Sequence, residues 1–298
     1  MTWQKTIKSS IASSGIGIHS GKNVNIRIRP APVNHGIRFI RTDLPHRPCI
    51  AALFNHVVDT SLATVVGSDG CIVSTIEHLM ATFSGMRVDN ALVEVDAYEM
   101  PIMDGSAQPF AALIAEAGTV VQAHHRWFIK VNQPVELKAG DKFVGLYPLD
   151  HFRITYTIDY PHPLIQKQSY SLDLSESAFF NEISGARTFG FLQEYETLKR
   201  FGLARGGSLD NVVVIADDAI LNPSGLRFPD EPVRHKILDC IGDFSLLGMP
   251  IMGHVVAEKA GHTLNHLFIN KLFSERSRWE TCTLENSASA PHAAAQTA

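Results

Sequence analysis

Two ionisable side chains, His235 and Asp239, lie four positions apart (i and i+4) in a segment with a helical pattern. Residues at this spacing lie on one face of an α-helix, so the imidazole and the carboxylate could bind one metal ion together. The same spacing is also typical of an ordinary ion pair on a helix. Lys236 and Asp243 add two charges to a helix that is otherwise largely apolar, and such clusters often mark a functional site.

Glu77 and His78 form a second candidate pair. The side chains of adjacent helical residues point about 100° apart, so one of them could bind a metal while the other takes part in proton transfer. His78 would complete a ligand set of two histidines and one aspartate with an open fourth position, which is typical of catalytic zinc. Glu77 would then be a general base. However, Glu77 also follows Ser74 by three residues, which is the spacing of a capping box.

His262 follows a glycine at a turn after a predicted strand, and such positions commonly carry functional side chains. It could equally be a residue at the start of a helix with no functional role. The sequence contains no HExxH motif and no P-loop. The four cysteines are widely spaced without a CxxC pair, which is typical of reduced thiols in a cytosolic protein.

Composition limits the class of protein. The chain has 298 residues, of which 45% are hydrophobic and 19% are charged, and this favours a soluble globular protein of about two domains. A formal net charge of −4 argues against non-specific binding to nucleic acid. No apolar run approaches the ~18 residues needed to cross a bilayer, and the start does not resemble a signal peptide. We therefore expect a cytoplasmic protein without stable membrane insertion.

Two parts of the chain repeat one order of elements: a strand meander, a helix, a strand and a final helix. The first part has predicted strands at 24–29 and 36–41, a helix at 74–85, a strand at 91–95 and a helix at 110–118. We predict that the first two strands pair with each other in antiparallel orientation. The second has predicted strands at 127–131, 143–147 and 152–158, a helix at 232–248, a strand at 251–257 and a helix at 264–272. This order predicts a duplicated α+β unit.

We accordingly predict an N-terminal α+β domain over residues 1–124 and a C-terminal α+β domain over 125–285. A strand–helix–strand insert is predicted near 186–215 in the second domain. The tail over 286–298 is rich in Ser, Ala, Pro and Thr, and we predict that it is disordered.

Seven short motifs carry a resemblance to a known family. They are GIHSG (17–21), TIEHL (75–79), PIMDGS (101–106), ARTFGF (186–191), GGS (206–208), VRHKILD (233–239) and GHTLN (261–265). In this order they resemble the UDP-3-O-acyl-N-acetylglucosamine deacetylases, which are zinc amidases of lipid A biosynthesis, over about residues 5–285. The resemblance implies two similar domains, each a sheet with helices on one face, and the helices of both sandwiched between the two sheets.

The resemblance also implies the catalytic roles. Zn²⁺ would be bound by His78, His235 and Asp239. The general base would be Glu77, the second catalytic histidine His262, and the carboxylate that orients it Asp243. A hydroxyl near the carbonyl oxygen and a cationic group are implied at Thr188 and Lys236. Either His262 or Glu77 could protonate the leaving amine.

The implied substrate is UDP-3-O-acyl-N-acetylglucosamine, hydrolysed to release acetate by a chain that we expect to be a monomer. The implied substrate contacts are Phe189 and Gly207, with Phe191 and Leu192 at the entrance of an acyl passage, Lys142 and Lys259 near the diphosphate, and Tyr160 on the uracil. Arg205 departs from the apolar residue frequent at its position, which leaves the preferred acyl length open.

Two other functions stay open at the level of sequence. The chain could be a non-catalytic relative that binds a UDP-sugar or a lipid, although the loss of Glu77, His262 or a ligand that would favour this is not seen. It could also be a different zinc amidohydrolase with the same fold. An assay that compares deacetylation of the UDP-sugar with deacetylation of other acetamides would distinguish this alternative from the UDP-sugar deacetylase.

Overall fold

The computed structural model describes residues 2–284, so the predicted disordered tail over 286–298 lies outside the described residues. The first half of the chain contains two helices, α1 (Glu77–Gly85) and α2 (Gln108–Ala117). Its strands are β1 (Trp3–Ile7), β2 (Ile11–Ile16), β3 (Asn23–Pro30), β4 (Ile37–Arg41), β5 (Cys49–Ala51), β6 (Val57–Asp59), β7 (Val65–Ser68), β8 (Cys71–Val73), β9 (Ala91–Val95) and β10 (Thr119–His125).

The second half contains helices of three to fifteen residues and a second set of strands. Its helices are α3 (Glu176–Ala178), which continues as a π-helical turn over Phe179–Ile183, α4 (Leu192–Arg200), α5 (Glu231–Ser245) and α6 (His262–Ser274). Its strands are β11 (Trp127–Val131), β12 (Val135–Ala139), β13 (Lys142–Tyr147), β14 (Phe152–Asp159), β15 (Lys167–Asp173), β16 (Phe189–Phe191), β17 (Val213–Ile215), β18 (Ile251–Glu258) and β19 (Trp279–Thr283). None of the helices within residues 2–284 is both long and apolar enough to span a bilayer.

The main sheets of the two halves share one topology. The first has the order β2-β3-β9-β4-β5, with β9 antiparallel to β3 and parallel to β4. In the second, β12-β13-β18-β14-β15 repeats the order, with β18 antiparallel to β13 and parallel to β14, while β11 and β19 extend the sheet. This confirms the predicted α+β class with two similar units. The boundary after residue 124 stays a prediction.

The duplication places α1 and α5 at equivalent positions, since each precedes the central strand of its own sheet. Each half has its own hydrophobic core. Ala81 on α1 belongs to the core of the second half, and Leu246 at the end of α5 belongs to the core of the first. The two equivalent helices therefore meet where the halves join, and side chains from both can contribute to one site.

The predicted pairing of 24–29 with 36–41 is wrong, because β3 and β4 lie on opposite sides of β9. Alternation of apolar and polar residues predicts a strand, whereas the partner depends on contacts that are distant in sequence. The predicted strand–helix–strand insert is confirmed as β16-α4-β17, with its two strands parallel. A three-stranded sheet, β6-β7-β8, occupies the corresponding place before α1 and was not predicted.

Candidate active site

Three side chains from the two central helices come together at their contact. His78 on α1 and His235 and Asp239 on α5 are all buried, and their potential ligand atoms lie within 4.8 Å of one another. Asp239 Oδ1 is 3.3 Å from His235 Nε2 and 3.7 Å from His78 Nε2. The folded chain thus brings together the three residues predicted as ligands.

The protonation states of this cluster suit a divalent metal. The Nδ1 atom of His235 lies 3.1 Å from the carbonyl oxygen of Ala186, and donation to that carbonyl leaves Nε2 free as a donor to a metal. Burial lowers the pKa of His235 to about 3 and keeps its ring neutral. Burial alone would raise the pKa of Asp239, but His235 and Lys236 outweigh it and hold that pKa well below its usual range. Two imidazoles and a carboxylate form a donor set that zinc favours.

Lys236 uses the other oxygen of the same carboxylate. Its Nζ donates to Asp239 Oδ2 over 2.8 Å, and it also lies 5.6 Å from the centre of the Phe189 ring. Burial lowers the pKa of Lys236, but Asp239 outweighs this effect and raises the pKa above its usual value. Lys236 is therefore a partly buried cation at the site, and it leaves Oδ1 of Asp239 facing the two histidines.

Glu77 is buried at the first position of α1. The predicted capping box is absent, because α1 begins at Glu77 itself and has no side-chain cap. Instead, Glu77 Oε2 accepts a hydrogen bond of 3.0 Å from the backbone N–H of Thr64, and Oε1 lies 3.9 Å from His262 Nε2. Burial raises the pKa of Glu77. The carboxylate is held towards His262 rather than used to cap the helix.

His262 begins α6 and is tied to Asp243 on α5. Its Nδ1 lies 2.8 Å from Asp243 Oδ2 and 3.1 Å from Oδ1. Burial alone would lower the pKa of His262, but Asp243 and Glu77 outweigh it and raise the pKa to about 10. The ring is therefore an imidazolium at neutral pH, and its Nε2 faces Glu77.

Sequence reasoning missed two residues that hold Asp243. Thr64 Oγ1 donates to Asp243 Oδ1 over 2.6 Å, and Asn265 Nδ2 donates to Oδ2 over 2.8 Å. Asn265 belongs to the GHTLN motif, so its place three residues after His262, within one helical turn, was a usable signal. Thr64 carries no charge and lies in no motif, so no local pattern marked it.

The position of Thr188 is fixed from both halves of the chain. Its backbone N–H donates to the carbonyl oxygen of Gly105 over 2.8 Å, and Gly105 has a φ of 87°, which favours glycine. The preceding residue, Arg187, forms a buried ion pair of 2.8 Å with Glu231 at the start of α5. The PIMDGS and ARTFGF motifs therefore meet at the site, and they place Thr188 near the start of α5.

A cavity of about 220 Å³ lies over this cluster. The predicted residues that line it are Glu77, His78, Thr188, Phe189, Gly207, His235, Lys236, Asp239 and His262. Its walls also include residues not predicted, among them Ile18, His19, Leu62, Tyr195, Leu198, Ala204, Val212 and Val214. Phe191 and Leu192 are not among the lining residues, although both lie in the insert that forms one wall. A larger cavity of about 570 Å³ lies at the other ends of α1 and α5, and no predicted site residue lines it.

The family model for UDP-3-O-acyl N-acetylglycosamine deacetylase matches residues 4–274. The chain belongs to this family. A protein named UDP-3-O-acyl-N-acetylglucosamine deacetylase in Myxococcus xanthus (strain DK1622) is 53% identical over 277 residues, which are 93% of this chain and 88% of that protein. Proteins of the same name in Syntrophus aciditrophicus (strain SB) and Shewanella halifaxensis (strain HAW-EB4) are 46% and 44% identical, over 96% and 98% of this chain and 91% and 96% of their own lengths.

Membership in the deacetylase family confirms the resemblance carried by the seven motifs. It also excludes the non-catalytic relative left open by the sequence, because the family and these relatives are named as deacetylases, which hydrolyse an amide. The chain is an amide hydrolase.

The residues predicted to contact the nucleotide do not line the cavity. The register that pairs Phe143 with Glu258 places Lys142 next to Lys259. Lys259 Nζ lies 3.0 Å from Asp159 and 3.2 Å from Asp141. The ring of Tyr160 packs 5.8 Å from Phe189 and 5.5 Å from Phe191, centre to centre. Their contacts with a nucleotide stay a prediction.

Proposed function

We propose that this deacetylase removes the N-acetyl group of UDP-3-O-acyl-N-acetylglucosamine at a zinc ion held by His78, His235 and Asp239. The observation that carries the proposal is the approach of these three donors to within 4.8 Å, with Glu77 and His262 lining the same cavity. The names of the curated relatives support the substrate. The reaction releases acetate and is the committed step of lipid A biosynthesis.

The metal-ligand set supports zinc, because two imidazoles and one carboxylate leave a fourth position open. Zinc bound there supplies a Lewis acid and lowers the pKa of a water molecule to about 7. The chain provides the groups that move protons and stabilise charge around it.

Glu77 is the general base in this proposal. Its Oε2 is held by the backbone N–H of Thr64, which leaves Oε1 directed towards His262 and available for a proton. A raised pKa brings a carboxylate closer to neutral pH, where general bases are most effective. Glu77 accepts the proton of the attacking water.

His262 is the cationic partner of Glu77. With a pKa of about 10 it carries a positive charge at neutral pH, which stabilises negative charge that develops on the amide oxygen. Its Nε2 can then donate a proton to the leaving amine, while Asp243 holds Nδ1. The Thr188 hydroxyl is assigned to the amide oxygen, and the Lys236 ammonium provides positive charge at the same wall of the cavity.

The remaining parts of the substrate are assigned to the surroundings of the cavity. The acyl chain is assigned to the insert, with Phe189, Phe191, Leu192 and Gly207, and the nucleotide to Lys142, Lys259 and Tyr160. Apolar side chains of the insert that line the cavity, such as Leu198 and Val214, support an acyl group there. We expect the enzyme to act as a cytoplasmic monomer.

The test combines zinc analysis with acetate release from the acylated UDP-sugar, using wild type, His235→Ala and His254→Ala. His254 lies on β18, where it bonds Thr155 outside the cavity, so it is a matched histidine control. We expect stoichiometric zinc and acetate release in wild type and His254→Ala, and loss of both in His235→Ala. Full zinc content in His235→Ala would contradict the ligand set, and zinc-loaded wild type that releases no acetate would contradict the substrate.

A further inference from the structure

We propose that Thr64 is a positioning residue that sets the geometry between Glu77 and His262. This inference rests on the proposed function, because it assigns these two residues to proton transfer. Thr64 lies before β7 and is only 2% exposed, so water does not compete for its polar groups. One small residue therefore acts on both partners of the proposed acid–base pair.

The two contacts come from different parts of the residue. The backbone N–H of Thr64 donates to Glu77 Oε2 over 3.0 Å, while its hydroxyl donates to Asp243 Oδ1 over 2.6 Å. Asp243 Oδ2 in turn accepts a hydrogen bond of 2.8 Å from His262 Nδ1. Thr64 thus acts on Glu77 directly and on His262 through Asp243, and its Oγ1 also lies 3.3 Å from His262 Nδ1.

The hydroxyl determines how the Asp243 carboxylate faces the imidazole. Oδ2 accepts from both His262 Nδ1 and Asn265 Nδ2, at 2.8 Å each. Oδ1 accepts from the Thr64 hydroxyl and lies 3.1 Å from His262 Nδ1. Without the hydroxyl, a buried carboxylate oxygen has only the longer contact with His262, and the carboxylate can rotate towards it. A rotation would turn the ring and change the distance of 3.9 Å between its Nε2 and Glu77 Oε1.

The backbone of Thr64 is held independently of its side chain. The carbonyl oxygen of Thr64 accepts from the backbone N–H of Ile76 over 3.4 Å, and strands β7 and β8 pair between them. The loop before β7 and the start of α1 therefore form one unit. A substitution that removes only the hydroxyl should leave the bond to Glu77 in place, which makes the two functions of Thr64 separable.

The first test compares Thr64→Val, which removes the hydroxyl at nearly constant shape, with Thr64→Ser, which retains it. We expect Thr64→Val to lower kcat about tenfold, the effect typical of one hydrogen bond to a charged group, with little change in KM. Thr64→Ser should restore kcat to within about twofold of wild type. Thr6→Val is the matched control, because Thr6 is also buried and its hydroxyl accepts from Ala31 N far from the site.

The second test asks whether the hydroxyl acts through Asp243. In an Asp243→Asn background, Thr64→Val should lower kcat by less than about twofold, because the charged carboxylate that the hydroxyl orients towards His262 is then absent. A proton signal at low field from His262 Nδ1–H, identified by its loss in Asp243→Asn, should shift in Thr64→Val and stay in place in Thr64→Ser and Thr6→Val. Zinc content and thermal unfolding of each variant show that it is folded and loaded.

The proposal is overturned if Thr64→Val keeps wild-type kcat. It is equally overturned if the fold loss of kcat in the double variant equals the product of the losses in Thr64→Val and Asp243→Asn. It is also overturned if the His262 signal does not move in Thr64→Val. The signal is measured without substrate, so it tests Thr64 even if wild type fails to deacetylate the acylated UDP-sugar, a result that would contradict the proposed function alone.

Discussion

Gly242 on α5 lies directly against the carbonyl group of Glu77 on α1. A Cβ atom at position 242 would overlap the carbonyl oxygen and lie 2.9 Å from the carbonyl carbon. Only glycine allows two helices to approach this closely, backbone to backbone. The close approach places the start of α1, with Glu77 and His78, beside the ligands that α5 carries.

Gly242→Ala should therefore disturb the metal site without changing any ligand. The added methyl group pushes α1 away from α5, which costs about 1–3 kcal/mol of stability, as overpacking does, and separates His78 from Asp239. We expect weaker zinc binding and lower kcat, measured by zinc titration and acetate release. Gly185→Ala is the control, because a Cβ there meets nothing nearer than 3.5 Å. Unchanged zinc affinity in Gly242→Ala would contradict this account of the helix contact.

Glu77→Gln tests the general base while preserving the shape of the side chain. The amide oxygen of glutamine can still accept from the backbone N–H of Thr64, so α1 and the metal ligands should stay in place. We expect full zinc content and a loss of kcat of about 10²–10⁴-fold, which is typical for removal of a general base. A loss smaller than about threefold would mean that Glu77 does not accept the proton.

Sequence patterns predicted the parts of the site that lie within single helices. His235 and Asp239 are one turn apart on α5, and Glu77 and His78 are adjacent on α1, so local spacing was sufficient to mark each pair. Zinc chemistry suggested that the pairs belong to one ligand set, and the family resemblance implied the same set, because local periodicity does not report which helices pack together. Thr64 was missed for the same reason, since its role depends on contacts with residues that are distant in the sequence.

The fold shows the same division between local and distant information. Strands β3 and β4 were recognised by alternation, yet their common partner is β9, which follows them by a long stretch of chain. The three strands β6, β7 and β8 are only three or four residues long, which is too short for alternation to give a clear strand signal. The repeated order of elements was visible in the sequence because it depends on element type, and the two sheets confirm it.

The pH dependence of the enzyme should report the ion pair between His262 and Asp243. The pKa of His262 is raised from 6.5 to about 10, so its positive charge persists through neutral pH. Because the raised pKa belongs to the folded state, the pair stabilises the fold fully below about pH 6.5, and this contribution is lost as the pH rises through about 10. We expect the alkaline limb of kcat to follow the same loss of charge.

Asp243→Asn should move that limb to lower pH. Without the carboxylate, burial becomes the dominant influence and lowers the pKa of His262 towards or below its ordinary value. The measurement is kcat against pH for wild type, Asp243→Asn and Asp173→Asn. Asp173 is the control, because it forms an exposed ion pair with Arg153 on the second sheet. An alkaline limb that stays in place in Asp243→Asn would assign it to a group other than His262.

Inhibition by hydroxamates should depend on the length of an attached apolar tail. A hydroxamate chelates zinc through two oxygens, and its polar head would lie between Glu77 and Thr188 in the cavity. A tail would extend along the insert, where Leu198, Val212 and Val214 line the wall.

Each methylene buried there contributes about 0.8 kcal/mol, so four more methylenes strengthen binding by up to ~3 kcal/mol, or roughly a hundredfold. The measurement is the Kd of a series of tail lengths on one preparation of zinc-loaded enzyme. Leu198→Asp should weaken the long-tailed members and leave the shortest unchanged, because only a tail reaches the insert and a charged wall disfavours apolar groups. If the affinity is the same across the series while zinc chelation is retained, the insert does not form an acyl passage, and the acyl part of the proposed substrate is wrong.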